Sequence, residues 1–153
     1  MSQQKSKQTL LLVEDNDDHA EIIQYYIEEY DPSIEVIRLS DGKSAIDHIL
    51  EMNSNNKECY PWLILLDIKL PKYDGHEILL RLKSDSTLTK IPVVVFTTSN
   101  SSKDIETALK RGANSYIQKP TEPDKFATTI ATIIDYWSLN QHGIIIEGLN
   151  RHA

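Results

Sequence analysis

An uninterrupted apolar run, Trp62 to Leu66, ends at the carboxylate of Asp67. A run of this length without polar alternation is typical of a strand that is buried on both faces of a parallel sheet. The first charged residue after such a strand marks its carboxyl end. Ligands bind at that edge in open α/β sheets. The sequence therefore predicts that Asp67 lies at a binding edge.

Four further apolar segments alternate with longer amphipathic segments along the chain. The predicted strands are residues 10–14, 34–39, 62–66, 92–97 and 115–118. The predicted helices are residues 18–29, 42–52, 75–84, 102–111 and 123–138. This alternation favours an α/β fold, in which helices cover both faces of a doubly wound, five-stranded parallel sheet. We expect one domain over residues 9–138, with an N-terminal extension at 1–8 and a C-terminal tail at 139–153.

Local signals indicate where several elements begin and end. Asp74 precedes Gly75 and an apolar helical segment, so we interpret Asp74 as an N-cap rather than a ligand. Gly112 follows two basic residues, which is typical of the end of a helix. The polar, turn-prone residues 53–58 are predicted to form a surface loop that carries no chemistry.

Size and charge restrict the classes of function. A chain of 153 residues has room for one domain, so we expect no second catalytic or DNA-binding domain. The formal net charge of -7 disfavours nucleic acid and anionic lipid as partners. A single cysteine, Cys59, cannot form an internal disulfide, and no signal peptide or long apolar segment opens the chain. We expect a cytoplasmic protein whose partner is another protein.

Complementary polar groups follow the other predicted strands. Glu14 and Asp15 follow the first strand, Thr97 closes the fourth, and Lys119 follows the fifth. A carboxylate can attack a phosphoryl group when the negative charges of both are offset, usually by a divalent cation. Glu14, Asp15 and Asp67 offer the oxygen ligands that Mg2+ prefers. Lys119 and Thr97 offer an ammonium and a hydroxyl to phosphoryl oxygens.

In this order and spacing the motifs resemble the receiver domain of two-component response regulators. The resemblance covers about Thr9 to Trp137 and is carried by Glu14-Asp15, Asp67 with Leu70-Pro71 and Asp74-Gly75, Ile91-Pro92 with Thr97, Gly112-Ala113, Tyr116 and Lys119-Pro120. It implies a flavodoxin-like (βα)5 receiver fold. The implied function is that of a stand-alone regulator, which accepts a phosphoryl group from the phosphohistidine of a histidine kinase or phosphotransferase and signals by changed protein association. It implies no enzyme beyond Mg2+-dependent phosphotransfer to its own aspartate and slow autodephosphorylation.

The resemblance also implies how a metal ion is held. Asp67 is the phosphorylated residue, and Asp15, Asp67 and the main-chain carbonyl of Lys69 are expected to bind Mg2+ directly. Glu14 is expected to act through a metal-bound water. It stands where many members carry aspartate, and its extra methylene is expected to move the carboxylate outward. The long cationic side chain of Lys69 is expected to slow hydrolysis of the acyl phosphate.

The remaining site residues are expected to respond to the phosphoryl group. By the same resemblance Lys119 pairs with that group, and Thr97 moves to hydrogen-bond it. The ring of Tyr116 turns inward as Thr97 moves. The bond between Lys119 and Pro120 is expected to be cis. The output surface is expected to involve the fourth and fifth helices and the fifth strand.

A second resemblance is to small stand-alone regulators encoded with phytochrome-type photoreceptor kinases. Its cues are Pro92-Val93-Val94-Val95, Thr97-Thr98-Ser99, Asp104-Ile105, Asn114-Ser115-Tyr116, Phe126 and the pair Tyr136-Trp137. It implies a phytochrome-type sensor histidine kinase as the partner, although regulators of this type also serve kinases with other inputs. We expect a homodimer that tightens on phosphorylation, and neither nucleic acid nor membrane as a partner.

Two other functions fit part of the pattern. A phosphatase of the haloacid dehalogenase type also uses Asp, Thr, Lys and Mg2+, but it carries a second acid where this chain has Lys69. A degenerate receiver, which is never phosphorylated, has no need of the intact set Asp15, Asp67, Thr97 and Lys119. The histidines share no spacing and are interpreted as surface or packing residues: His19, His48, His76, His142 and His152.

Overall fold

The computed structural model describes residues 8–55 and 60–139 of the chain. The chain divides into two compact units, the first ending at Lys119 and the second beginning at Pro120. The predicted N-terminal extension and C-terminal tail lie outside the described residues, apart from Gln8 and Leu139. Cys59 also lies outside them. The predicted domain limits therefore stay predictions.

The first unit contains one sheet of five parallel strands in the order β2-β1-β3-β4-β5. The strands are β1 Thr9–Val13, β2 Glu35–Leu39, β3 Leu63–Leu66, β4 Val93–Thr97 and β5 Ser115–Gln118. All four residues of β3 are buried, as the apolar run predicts, because neighbouring strands flank it and the sheet is covered on both faces. The predicted α/β fold class is confirmed, and the strand order is the flavodoxin-like order.

Four helices of the first unit connect the strands: α1 Asp17–Tyr30, α2 Gly42–Asn55, α3 Gly75–Ser84 and α4 Ser102–Lys110. Right-handed crossovers place α1 on one face of the sheet and α2, α3 and α4 on the other, because the first crossover steps in the opposite direction from the rest. The core on the second face joins buried side chains of these helices to those of the sheet: Ala45, Ile49, Ile78, Leu79, Leu82, Ala108, Val13, Ile64, Leu66 and Val95. Each fully buried aliphatic side chain stabilises the fold by about 1.5–3 kcal/mol relative to an exposed one.

The start of α3 lies close to the end of β3. Asp74 is the N-cap of α3, and its side chain accepts a hydrogen bond from the backbone N–H of Glu77 over 3.0 Å, which confirms the predicted cap. A Cβ atom on Gly75 would lie 2.5 Å from the carbonyl oxygen of Asp67 and 2.4 Å from Cα of Ile68. Only glycine therefore lets the helix approach the backbone beside Asp67 so closely.

The helix end predicted at Gly112 is confirmed, since this glycine has a φ of 100°, in the left-handed region that favours glycine. A short 3-10 helix, Leu88–Lys90, was not predicted. A side chain of α3 stabilises this short helix, because the Lys83 ammonium donates to the carbonyls of Thr89 and Ile91 over 3.0 and 2.9 Å. Burial lowers the pKa of Lys83.

The predicted loop at residues 53–58 was wrong in its first part, because α2 continues to Asn55. Polar residues are tolerated in the last turn of a helix, where water can satisfy the final carbonyls, so composition alone does not mark the end. Residues 56–59 lie outside the described part of the chain.

The second unit contains α5, Pro123–Leu139. Its buried residues recur at spacings of three and four, as predicted: Phe126, Ile130, Ile133, Ile134 and Trp137. Tyr136 is 55% exposed and its ring meets that of Trp137 edge-on, with centroids 4.9 Å apart. Within the described ranges, no helix is both long and apolar enough to cross a membrane.

Candidate phosphoryl-transfer site

The carboxyl edge of the sheet brings the predicted site residues together. Parallel pairing aligns Val13 with Leu66, so the acidic residues that follow β1 and β3 become neighbours. The pairing continues past the strand ends, since Asp67 N–H donates to Val13 over 3.0 Å and Lys119 N–H donates to Thr97 over 2.7 Å. One carboxylate oxygen from each of Glu14, Asp15 and Asp67 lies within 4.8 Å of the other two.

The side chain of Asp67 is 7% exposed, and its carboxylate accepts three hydrogen bonds. Its Oδ1 accepts from the hydroxyl of Thr97 and from the backbone N–H of Lys69, each over 2.9 Å. Its Oδ2 accepts from Nζ of Lys119 over 2.9 Å. The predicted hydroxyl and ammonium therefore both contact the predicted acceptor carboxylate, and the backbone adds a third donor.

The side chain of Lys119 is 2% exposed, and its ammonium has three acceptors. Besides Asp67 it pairs with Oε1 of Glu14, and it lies 3.0 Å from Nδ1 of His19. Removal of one partner of a buried ion pair typically costs 3–5 kcal/mol, because the other charge is left uncompensated. Lys119 is therefore central to the stability of this edge.

The Lys119–Pro120 peptide bond is trans, so the expectation of a cis bond was wrong. The free-energy difference between the isomers of an X-Pro bond is only about 0.5–1 kcal/mol, too small for the dipeptide sequence to decide.

Glu14 is buried and points inward, contrary to the expectation that its extra methylene moves the carboxylate outward. The ion pair with Lys119 draws it into the site. Burial raises the pKa of Glu14 to about 7, with Asp67 adding to the rise and Lys119 opposing it. Asp15 is exposed at the rim of the site. Sequence order alone did not reveal which of these two adjacent acids is the buried one.

The oxygen donors of this site fit Mg2+. A hard divalent cation prefers several carboxylate oxygens together with water, and the acidic cluster provides both a buried part and an exposed rim at Asp15. The cluster carries three carboxylates against the single ammonium of Lys119, so an added cation would offset the excess negative charge. The contribution of the Lys69 carbonyl stays a prediction.

The predicted switch residues are connected through Ser99. The hydroxyl of Tyr116 donates to the carbonyl oxygen of Ser99 over 2.9 Å, and the N–H of Ser99 donates to Oγ1 of Thr97 over 3.4 Å. Tyr116 is half-buried, and burial raises the pKa of its hydroxyl. A displacement of the Thr97 hydroxyl would therefore act directly on the backbone segment that the tyrosine holds.

Asp104, in the first turn of α4, joins this segment to two other parts of the unit. Its carboxylate accepts from Ser99 Oγ over 2.6 Å and lies 3.3 Å from Nζ of Lys69 and 3.2 Å from Nε2 of His76. The hydrogen bond from Ser99, with further contributions from His76 and Lys69, lowers the pKa of Asp104 to about 2. The carboxylate therefore stays ionised at neutral pH and holds the Lys69 ammonium.

Three residues near the site were missed as functional candidates. Two are His19 and His76, which were interpreted as surface or packing residues, and the third is Asp104, which served only as a cue for the resemblance. His19 follows Asp15 by four residues at the start of α1, a position that faces the end of β1 in such a fold. His76 is the second residue of α3. The position of each histidine near the start of a helix was the sequence signal that could have placed it near the site.

Comparison with known proteins establishes the family. A model of the response regulator receiver domain matches residues 10–131. The chain belongs to the response regulator receiver family. Receiver domains take phosphoryl groups from histidine kinases, bind Mg2+ in an acidic pocket and serve as signalling modules rather than as true enzymes. The phosphatase alternative is thereby set aside.

Curated relatives of this receiver domain include regulators of different processes. The probable methanogenesis regulatory protein FilR2 of Methanothrix harundinacea (strain 6Ac) is 40% identical over 128 residues, which cover 84% of this chain and 82% of FilR2. Response regulator Rcp1 of Synechocystis sp. is 32% identical over 128 residues, which cover 84% of this chain and 87% of Rcp1.

Solved structures of similar receivers agree with the fold. The crystal structure of the phosphorylated cyanobacterial phytochrome response regulator RcpA has a TM-score of 0.78 and 34% identity, covering 86% of this chain and 94% of that one. The Mn(2+)-bound form of Rcp1 has a TM-score of 0.73 and 29% identity, covering 85% and 94%. The receiver domain is thus related to phytochrome response regulators.

The raised pKa of Glu14 predicts a pH-dependent stability of the metal-free protein. Because the folded state holds this proton more tightly, the favourable contribution is complete below the unfolded-state pKa of 4.5 and is lost as the pH rises through about 7. The Lys119 ammonium keeps its ion pair with Asp67 when Glu14 is replaced, so no buried charge is left uncompensated. Glu14→Gln should therefore stabilise the protein at pH 8 by about 1–3 kcal/mol and by much less near pH 5. Urea unfolding in the presence of EDTA measures both values.

Glu21→Gln is the matched control, since Glu21 is exposed on α1 and the chemical change is the same. Its effect should stay within about 0.5 kcal/mol at both pH values. An effect of Glu14→Gln that is equal at pH 5 and pH 8 would contradict the assigned environment of Glu14.

Proposed function

We propose that this chain is a stand-alone response regulator, which accepts a phosphoryl group onto Asp67 from the phosphohistidine of a sensor histidine kinase or phosphotransferase. The observation that carries the proposal is the Asp67 carboxylate, which Lys119 Nζ, Thr97 Oγ1 and the Lys69 N–H each contact at 2.9 Å. An ammonium and a hydroxyl already in place suit the charge that develops on the oxygens of a transferring phosphoryl group.

In the proposed reaction an oxygen of Asp67 forms a bond to phosphorus while the bond between phosphorus and the histidine nitrogen breaks. The leaving nitrogen keeps the electron pair of that bond and takes a proton from solvent. Lys119 pairs with one phosphoryl oxygen, and the Thr97 hydroxyl donates to another. A Mg2+ ion held by Asp15, Asp67 and the Lys69 carbonyl would offset the charge of the carboxylates and of the phosphoryl oxygens.

Glu14 has a separate role in this proposal. Its carboxylate already pairs with the Lys119 ammonium, so it competes with the phosphoryl group for that cation. It is also proposed to contact the metal through a bound water.

The proposed output is a change in protein association. When Thr97 moves to the phosphoryl group, its contact with the Ser99 N–H and the Ser99 contact of Tyr116 are both affected. The surface that changes would include β5 and the start of α4, where Ser99 contacts Asp104. Addition of a dianionic group to a two-state element of this kind shifts the balance between its two states.

The proposed partner is a phytochrome-type histidine kinase, on the basis that RcpA and Rcp1 are similar to this chain. FilR2, whose name refers to the regulation of methanogenesis, is also similar to this chain, so a kinase of another type is the alternative partner. The proposed compartment is a reducing cytoplasm, in which the single cysteine stays reduced. Homodimerisation stays a prediction, for which exposed Tyr136 is the candidate contact residue because tyrosine is enriched at interfaces.

Intact-mass measurement tests the proposed function. Incubation with acetyl phosphate should add one phosphoryl group, about 80 Da, in the presence of Mg2+ and not in EDTA. Asp67→Asn should abolish the gain. Asp47→Asn is the matched control, since Asp47 is exposed on α2 and pairs only with its helix neighbour Lys43 among the contacts of the described residues. No gain by the wild-type chain under any condition would favour the degenerate receiver.

The Lys69–Asp104 pair predicts how long the phosphoryl group persists. Lys69→Ala should shorten the half-life of the phosphorylated form by about threefold, which corresponds to about 0.65 kcal/mol of barrier, because water then reaches the acyl phosphate more freely. Asp104→Asn frees the Lys69 ammonium. The effect of Asp104→Asn on the half-life of the phosphorylated form should therefore vanish in a protein that already carries Lys69→Ala. The double-mutant cycle isolates this coupling.

Lys103→Ala is the control for this cycle, since Lys103 is exposed beside Asp104 on the same helix. Loss of the protein-bound phosphoryl group is followed by mass after removal of acetyl phosphate. A half-life that Lys69→Ala leaves unchanged would contradict the role of Lys69. If Asp104→Asn still changes the half-life in the Lys69→Ala background, Asp104 acts through its hydrogen bond with Ser99 instead.

A further inference from the structure

His19 occupies the third acceptor position of the Lys119 ammonium. An ammonium has three N–H donors and no acceptor. Asp67 Oδ2 and Glu14 Oε1 accept two of them, and Nδ1 of His19 lies 3.0 Å from the same nitrogen. All three donors of this buried cation therefore have protein acceptors, and one of them is a neutral group rather than a carboxylate.

The contact fixes the protonation state of His19. Nδ1 can accept from an ammonium only when it carries no proton, so the neutral imidazole must hold its proton on Nε2. A protonated ring would place a second donor and a second positive charge against Lys119. Burial, with the nearby Lys119 charge as the next cause, lowers the pKa of His19 and favours the neutral ring.

Helix α1 orders the backbone from which the imidazole extends. The backbone N–H of His19 donates to Oδ1 of Asn16, the N-cap of α1, over 3.0 Å. The residue that closes the cap is thus also the residue that reaches Lys119. Caps of this kind stabilise a helix start by about 1 kcal/mol, so the ring is carried on an ordered turn.

We propose that His19 is a positioning residue for phosphoryl transfer, which holds the Lys119 ammonium against Asp67 by accepting its third N–H. This inference rests on the proposed function and adds a residue to the same site. A neutral acceptor suits this position, because the site already contains three carboxylates and a fourth would add repulsion. Without His19, only the two carboxylates orient the ammonium, and Lys119 can turn toward Glu14 and away from the arriving phosphoryl group.

Two substitutions separate acceptance of the hydrogen bond from the mere presence of a side chain. His19→Asn retains an acceptor, its amide oxygen, close to the position of Nδ1, whereas His19→Leu retains similar bulk without an acceptor. Phosphorylation by acetyl phosphate at saturating Mg2+ should be about tenfold slower for His19→Leu, the scale of one hydrogen bond to a charged group. It should be within about twofold of wild type for His19→Asn. His48→Leu, on α2, is the control for loss of a histidine outside the site.

Nuclear magnetic resonance provides a readout that needs no phosphorylation. Long-range proton–nitrogen correlation in the metal-free wild-type protein at pH 8 should assign the His19 ring to the tautomer with its proton on Nε2. Lys119→Met should shift the His19 Nδ1 resonance and leave that of His48 in place. These results hold even if acetyl phosphate does not phosphorylate the chain, so failure of this inference and failure of the proposed function are distinguishable.

The inference is overturned if the His19 ring carries its proton on Nδ1, or if His19→Leu is phosphorylated at the wild-type rate. A His19→Asn variant as slow as His19→Leu, with an equal urea midpoint for both, would also overturn it. Rescue by asparagine together with the Nε2–H tautomer would establish the positioning role.

Discussion

The buried ion pairs of Lys119 determine how this edge of the sheet is organised. Transfer of an unpaired charge from water into a protein interior costs several kcal/mol, and here two carboxylates, Glu14 and Asp67, are buried together. They are tolerated because one ammonium contacts both. The compensation is incomplete, since the exposed Asp15 adds a third negative charge to the cluster. Burial, with Asp67 adding to the effect, raises the pKa of Glu14. The excess negative charge favours the divalent cation that this site is proposed to bind.

The sheet allows this arrangement because parallel strands end at a common edge. The acids that follow β1 and β3 approach the hydroxyl that ends β4 and the lysine that follows β5, although 105 positions of sequence separate Glu14 from Lys119. Close approach of α3 through Gly75 packs the segment after Asp67 without a side chain in the way. A second polar cluster around Asp104 then connects this edge to α3 and α4. The residues of the proposed phosphoryl chemistry and those of the proposed conformational response are therefore adjacent in one unit.

Much of the fold, and most residues of the candidate site, were predictable from local sequence. The strands are continuous apolar runs, the helices show regular spacing, and Asp74 and Gly112 carry cap and stop signals, so element order and strand-end residues could be read directly. The inward position of Glu14 could not be predicted from the sequence, because it depends on an ion pair with a residue distant in sequence. The same holds for His19, whose partner Lys119 lies 100 positions away. The 3-10 helix Leu88–Lys90, whose carbonyls accept hydrogen bonds from Lys83, was also missed. The last turn of α2 was missed because its polar composition does not distinguish a helix end from a loop.

Location of the phosphoryl group is the most direct measurement of whether Asp67 is the acceptor. Borohydride reduces an aspartyl phosphate to homoserine, and tandem mass spectrometry of the digested protein then identifies the position. After treatment with acetyl phosphate and Mg2+, we expect homoserine at position 67 and aspartate at position 15. Reduction at position 15, or phosphorylated protein that yields no homoserine at position 67, would contradict the assignment of Asp67.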